Sequence, residues 1–106
     1  MLKPGVKPSD IYEKTMLLVK PEYLSCFMGA PGRTVPFIGH GVGLYVDELP
    51  VIAKGFDMPL HSNMTIAIEP KIGIEGAGLV GSENTYLVTD DAGVSLTGDA
   101  LDIIVV

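Results

Sequence analysis

Three ionisable residues stand where packing alone explains them poorly: His40, Glu69 and Glu83. His40 lies in Gly39-His40-Gly41-Val42-Gly43, where the flanking glycines clear space and let another group approach the backbone. Glu69 closes the run Met64-Thr65-Ile66-Ala67-Ile68 and is followed by Pro70, which holds its predecessor extended and so aims the carboxylate. A carboxylate ending an apolar strand needs partners if it is buried. Glu83 comes just before Tyr86-Leu87-Val88, and strand alternation puts Glu83, Thr85 and Leu87 on one face. Singly, a lone His is more often a surface or satisfied core residue, and either Glu could simply point to solvent. Together, an imidazole and carboxylates suit a first-row divalent ion such as Mn, Co, Zn or Fe. Carboxylates can also bridge two ions that activate a water between them. Three ligands hold one ion loosely; two ions need more, and the chain offers few further candidates.

The elements that must position these residues follow from pattern and punctuation. Residues 1–8 read as an entry loop with Pro4, Gly5 and Pro8. Ser9 stands where a helix N-cap would be, with Asp10 and Glu13 near the positive end of the dipole. Ile11, Met16, Leu18 and Val19 continue at roughly helical spacing until Pro21, and a second short helix is expected from Glu22 to Met28, stopped by Gly29. Residues 29–36 read as a loop. Beyond Phe37 the chain turns to strands: Val42, Leu44 and Val46 alternate with Gly43, Tyr45 and Asp47, and Met64, Ile66 and Ile68 with Thr65, Ala67 and Glu69. Residues 49–63, with Pro50, Gly55, Pro59 and Asn63, look mostly irregular, and His61 reads as a loop residue. Lys71 to Glu75 resumes the strand, Leu79 to Thr89 forms another with Gly81 as a bend, and Asp90-Asp91-Ala92-Gly93 is a hairpin-like turn. Val94-Ser95-Leu96 and Ile103 to Val106 read as short terminal strands. Helices first and mostly antiparallel strands after make the class α+β.

Composition narrows the function classes. The chain has 106 residues, room for one small domain, and 47% of them are hydrophobic. No apolar run reaches the roughly 18 residues that span a bilayer, so the surplus must enter a core or an interface. A net charge of −6, from 13 acidic and 7 basic residues, leaves no basic stripe for nucleic acid and no basic patch for anionic lipid. The one cysteine, Cys26, forms no internal disulfide, and the start Met1-Leu2-Lys3-Pro4-Gly5 lacks the apolar run of a secretory signal; both fit a cytoplasmic protein.

The segments Gly39-His40-Gly41-Val42-Gly43-Leu44, Ile68-Glu69-Pro70 and Glu83-Asn84-Thr85, with Leu87-Val88-Thr89 and Leu96-Thr97 after them, resemble the C-terminal half of the pita-bread metallopeptidases. These are the methionine aminopeptidases, proline aminopeptidases and proline dipeptidases. Order and spacing agree from Lys3-Pro4-Gly5 to the end, and Glu69-Pro70-Lys71 and Gly81-Ser82-Glu83-Asn84-Thr85 look closest to the proline dipeptidase-like members.

The resemblance implies residues 1–106 as a single partial domain, the second half of a catalytic domain, with N-terminal helices packed on a curved, mostly antiparallel sheet. It implies a peptidase cutting a peptide bond near the substrate N-terminus, with two divalent ions in the complete enzyme and one or none in this chain. It carries the metal ligands onto His40, Glu69 and Glu83, and the general base onto Glu69. The family's two Asp ligands have no counterpart here, so the chain alone is expected to be inactive. Asp47 falls where the family has a substrate-contacting His, and a carboxylate donates no hydrogen bond unless protonated; a changed specificity or a non-catalytic peptide-binding module of the same fold follows as the alternative. A creatinase-like hydrolase is disfavoured by the intact His40, Glu69 and Glu83. The expected partners are a peptide substrate and either the missing N-terminal half or further copies of the chain in a homo-oligomer.

Overall fold

The structure is a computed structural model that describes residues 1–98. The strand expected from Ile103 to Val106 lies outside the described residues. One α-helix, α1 (Pro8–Leu18), opens the chain, followed by a single 3-10 turn at Pro21–Tyr23. Among the described residues nine strands follow: β1 (Gly29–Ala30), β2 (Arg33–Thr34), β3 (Phe37–Gly41), β4 (Glu48–Ala53), β5 (Thr65–Ile68), β6 (Lys71–Ile74), β7 (Gly78–Gly81), β8 (Asn84–Val88) and β9 (Gly93–Ser95). The class is α+β, as the order of patterns requires.

The main sheet is antiparallel in the order β4-β3-β5-β8-β9, and the pairs β1–β2 and β6–β7 form separate ribbons. Helix α1 lies against β4. Ile11 of the helix joins Met28, Ile38, Ile52, Leu60, Ile66 and Val88 in one buried cluster that holds the sheet from behind. No helix among the described residues is long and apolar enough to cross a membrane.

Several local readings change. The helix starts at Pro8 with Lys7 as N-cap; Ser9 does not cap it but is buried one step inside, its hydroxyl bonded to Asp57 Oδ1 at 2.5 Å. Proline is well suited to the first helical position because its missing N–H has no helical partner there. The second helix, expected from Glu22 to Met28, is only the turn at Pro21–Tyr23: Met28 leaves helical space with φ 59° and its N–H bonds to the Lys71 carbonyl at 2.7 Å, so tertiary pairing wins over local propensity. The loop at 29–36 contains the small β1–β2 ladder.

Two further changes are linked. The alternating stretch 42–46 is not a strand, whereas Glu48–Ala53, inside the segment read as irregular, is. After β3 the chain turns back on itself: Gly43 N–H bonds to Tyr45 O at 3.1 Å, and Tyr45 N–H to Glu48 Oε2 at 3.3 Å. Alternation marks a strand only when a neighbour covers one face, and Leu44 here is 99% exposed. Pro50 misled in the opposite direction. A proline can sit in an edge strand, where the lost N–H faces no neighbour, and β4 is an edge.

The stretch Leu79 to Thr89 is likewise not one strand but two, β7 and β8. The register nevertheless runs unbroken: Thr65↔Leu87 through Ile68↔Asn84 in the sheet continues as Lys71↔Gly81 through Ile74↔Gly78 in the ribbon, with no residue inserted on either side. β5–β6 and β7–β8 are therefore the two arms of one long hairpin, bent where Glu69 and Pro70 face Ser82 and Glu83. Pro70 has no N–H to give the ladder. Ser82 N–H still reaches Pro70 O at 3.2 Å, and Glu69 N–H turns to Ile38 O of β3 at 3.0 Å.

Candidate metal centre

The bend brings the chemistry together. His40 pairs with Ala67, and Ala67 with Thr85, so these three share one face of the sheet. Strand alternation adds Glu69, two residues beyond Ala67, and Glu83, two before Thr85, to that face. Glu69 and Glu83 occupy directly opposed positions in the continuous register. Like charges opposed across an antiparallel pair repel, and the Lys71 ammonium on Glu69 supplies a counter-charge.

His40 is buried against this face, its ring 6.5 Å from that of Phe37 in an edge-on arrangement. Its Nδ1 lies 3.0 Å from the Gly41 carbonyl oxygen, so it carries the proton and donates there. That leaves Nε2 as the free lone pair, 3.4 Å from Glu69 Oε1. A backbone acceptor on one ring nitrogen is the usual way a ligating imidazole is oriented. Glu69 is largely buried, and its second oxygen, Oε2, accepts from the Lys71 ammonium. Glu83 is exposed and lines an open cleft of about 220 Å³ with Glu69, Lys71, Leu79, Gly81 and Ser82.

The close packing around His40 depends on glycine. A Cβ at Gly39 would lie 2.3 Å from the Ala67 carbonyl oxygen, and one at Gly41 would lie 2.4 Å from that of Leu49. Neither position tolerates a side chain without moving a neighbouring strand. This is the backbone approach expected from the glycines around His40, and the group that approaches is a strand on each side.

Asp47 stands apart. Its Oδ1 is 3.6 Å from His40 Nδ1, beyond hydrogen-bond length, and its side chain is 70% exposed on the turn between β3 and β4. It faces the back of the imidazole, away from Nε2. His61 is an exposed loop residue whose N–H meets Met64 Sδ at 3.4 Å.

Of the sequence candidates, then, His40 and Glu69 are in contact, Glu83 faces Glu69 across the bend, and Asp47 touches only the outer edge of the imidazole. Lys71 was missed as a site residue, although its position two after Glu69 on an extended segment is a same-face signal. A divalent ion suits these donor types in kind: His40 Nε2 and Glu69 Oε1 approach each other, and Glu83 lines the cleft beside Glu69. It does not suit them in number, for among the described residues no group of three His, Cys, Asp or Glu is gathered closely enough to hold an ion.

The architecture of the chain is that of the pita-bread peptidases. The chain superposes on the X-Pro aminopeptidase of Thermotoga maritima MSB8 with a TM-score of 0.83 at 27% identity, covering 99% of this chain and 28% of that one. The chain belongs to Metallopeptidase family M24, whose model matches residues 1–90. It is similar to the Xaa-Pro dipeptidase of Pyrococcus furiosus, 34% identical over 95 residues, which cover 90% of this chain and 26% of the relative. It is also similar to the probable dipeptidase PepE of Mycobacterium tuberculosis, 40% identical over 68 residues, 64% of this chain and 18% of the relative. The chain thus spans about a quarter or less of the length of these curated relatives.

Proposed function

We propose that the chain serves a metal-dependent peptidase of the Xaa-Pro dipeptidase or aminopeptidase type, hydrolysing a peptide bond near the substrate N-terminus. The observation that carries this reading is the approach of His40 Nε2 to Glu69 Oε1 at 3.4 Å, with Glu83 opposed to Glu69 in register. Divalent ions (Mn, Co, Zn or Fe, two in the complete centre) would supply a Lewis acid for the scissile carbonyl and an acidified water. His40 and Glu83 serve as ligands at the two sides of the bend. Glu69, between them, is both ligand and general base: its carboxylate accepts a proton from water and returns it to the leaving amine.

The donor set is short of what two ions require, so this chain by itself is proposed to be inactive and to hold one ion or none. The remaining ligands, two Asp by resemblance, come from outside this set of residues. The proposed setting is the cytoplasm, in keeping with the single Cys26. Exposed Leu44, Tyr45, Val46, Leu17 and Leu18 favour association, with a second copy of the chain or with a complementary half of the catalytic domain. A strictly monomeric mass in light scattering of the purified chain would dispose of self-association.

The test is a calorimetric titration with Mn2+ beside Glu83→Ala, together with an Xaa-Pro dipeptide assay in Mn2+ or Co2+. Saturable binding lost in the variant, without turnover, is the expected result. Turnover by the chain alone would overturn its proposed incompleteness. A second reading, a non-catalytic peptide-binding module of the same fold, is favoured by one observation: Asp47 meets only the outer edge of His40. Absence of metal binding from both proteins would leave that reading in front.

A further inference from the structure

Helix α1 turns one stripe toward the sheet: Ile11, Tyr12, Thr15, Met16 and Val19 are buried or half-buried at helical spacing. Leu17 and Leu18 fall off that stripe and stand 85% and 83% exposed in the last turn, with Lys14 one turn before them and Lys20 just after. A second apolar patch is exposed on the turn between β3 and β4, where Leu44, Tyr45 and Val46 are joined by Leu49 just inside β4. The charges of that patch are Asp47 and Glu48. The Glu48 carboxylate holds Tyr45 N–H, so the turn is already fixed in the shape it presents. One chain does not close these patches on each other. Pro8, at the start of α1, lines a cavity with Leu49 and Pro50, while Thr15 lines another with Ile68 and Pro70. The helix thus carries Leu17 and Leu18 away from the turn.

The charges divide in the same way. Four of the seven cations, Lys3, Lys7, Lys14 and Lys20, lie in the first twenty residues beside two acids, and eleven of the 13 acids lie beyond them. At a net charge of −6, two copies repel unless their contact joins unlike signs. Turn against turn would set Asp47 and Glu48 opposite their own copies. Helix end against helix end would do the same with Lys14 and Lys20. The helix end of one copy against the turn of another brings lysines to carboxylates and leucines to Leu44. Of the three pairings it alone is favourable in charge as well as in apolar contact.

We infer that the end of α1 and the turn between β3 and β4 are the two unlike halves of one contact between copies of this chain. Leu17 and Leu18 seat on Leu44, Tyr45 and Val46, and the lysines meet Asp47 and Glu48. This deepens the association proposed above and rests on it, with a second copy as the occupant. A contact between unlike surfaces closes into a finite assembly only when it is made reciprocally.

The experiment is sedimentation of the full chain over a range of concentrations at low salt, for the wild type, Leu17→Ser, Leu44→Ser and an equal mixture of the two variants. Circular dichroism verifies that each variant folds, and Lys20→Glu with Asp47→Lys stands in as the second pair should either serine variant not do so. Each variant alone is expected to self-associate about tenfold more weakly than wild type, the effect of losing one buried leucine. The mixture is expected to associate more tightly than either component, because the intact helix end of the Leu44→Ser protein meets the intact turn of the Leu17→Ser protein. Association weakened by Leu44→Ser but not by Leu17→Ser marks a contact of turn on turn and overturns the inference. A mixture no tighter than its components overturns it too, while self-association stands. A wild type that is monomeric at every concentration removes self-association itself, and the inference with it, and leaves both patches to a complementary half of the catalytic domain.

Discussion

His40 is flanked by two segments of opposite character. On one side β5 is locked against β3 residue by residue, and Ile66 at its centre is fully buried. On the other side the chain leaves β3 through residues 42–47, which alternate in hydrophobicity just as regularly yet lie exposed from Gly43 on, Leu44 at 99%. The difference lies in the neighbours. β5 has β3 and β8 beside it and the Ile11 cluster behind it, while beyond Val42 the turn is held by Gly43 N–H on Tyr45 O and by the Glu48 carboxylate on Tyr45 N–H. The rigid side carries Glu69 and the loose side carries Asp47, which makes Glu69 the partner that can hold a fixed geometry with His40.

The sharpest way to break this contrast is Gly39→Ala. The new methyl would sit 2.3 Å from the Ala67 carbonyl oxygen, so β3 and β5 would have to separate. A loss of at least about 3 kcal/mol is expected, enough to abolish cooperative unfolding in urea. A wild-type urea midpoint for this variant would show that the pairing is far looser than described.

Ile66→Ala comes next. Removing a fully buried side chain from the cluster behind the sheet is expected to cost about 3 kcal/mol, read from the same urea curves. A loss below about 1 kcal/mol would mean that the cluster does not support the sheet. Ser9→Ala, which removes the hydroxyl donor to Asp57 but keeps the helix start at Pro8, is expected to cost about 1 kcal/mol. Unchanged stability there would argue that water replaces Asp57 without loss.

Leu44→Ser should do least. With no neighbour to lose, it is expected to shift stability by no more than about 0.5 kcal/mol. Its sharper readout is association: if a second copy covers this turn, the variant sediments as a smaller species than wild type at equal concentration. An unchanged mass would take Leu44 out of any such contact.

The three ligand candidates were legible because each sits in a local frame that sequence displays directly: glycines around His40, a proline after Glu69, an apolar run after Glu83. The class was legible as well, from the order of helical and alternating patterns. The placement of strands around residues 42–53 was not, because alternation describes a strip of chain and says nothing of what lies beside it. Pro50 stopped a strand on paper but not at a sheet edge. The division of Leu79 to Thr89 into β7 and β8 was hidden because the register across it never changes. Lys71 escaped notice because its contact is with Glu69 two positions back, across Pro70, where the strand pattern is interrupted.

The unbroken register of the bent hairpin has a consequence for the order of assembly. A hairpin closes over a short stretch of chain, and such closures are fast and cost little entropy. Glu69 and Glu83 can therefore meet while the rest of the protein is still unstructured. His40 arrives only when β3 docks from farther along the chain. The acidic pair is then expected to come together before the imidazole joins it, with Lys71 carried in the same hairpin.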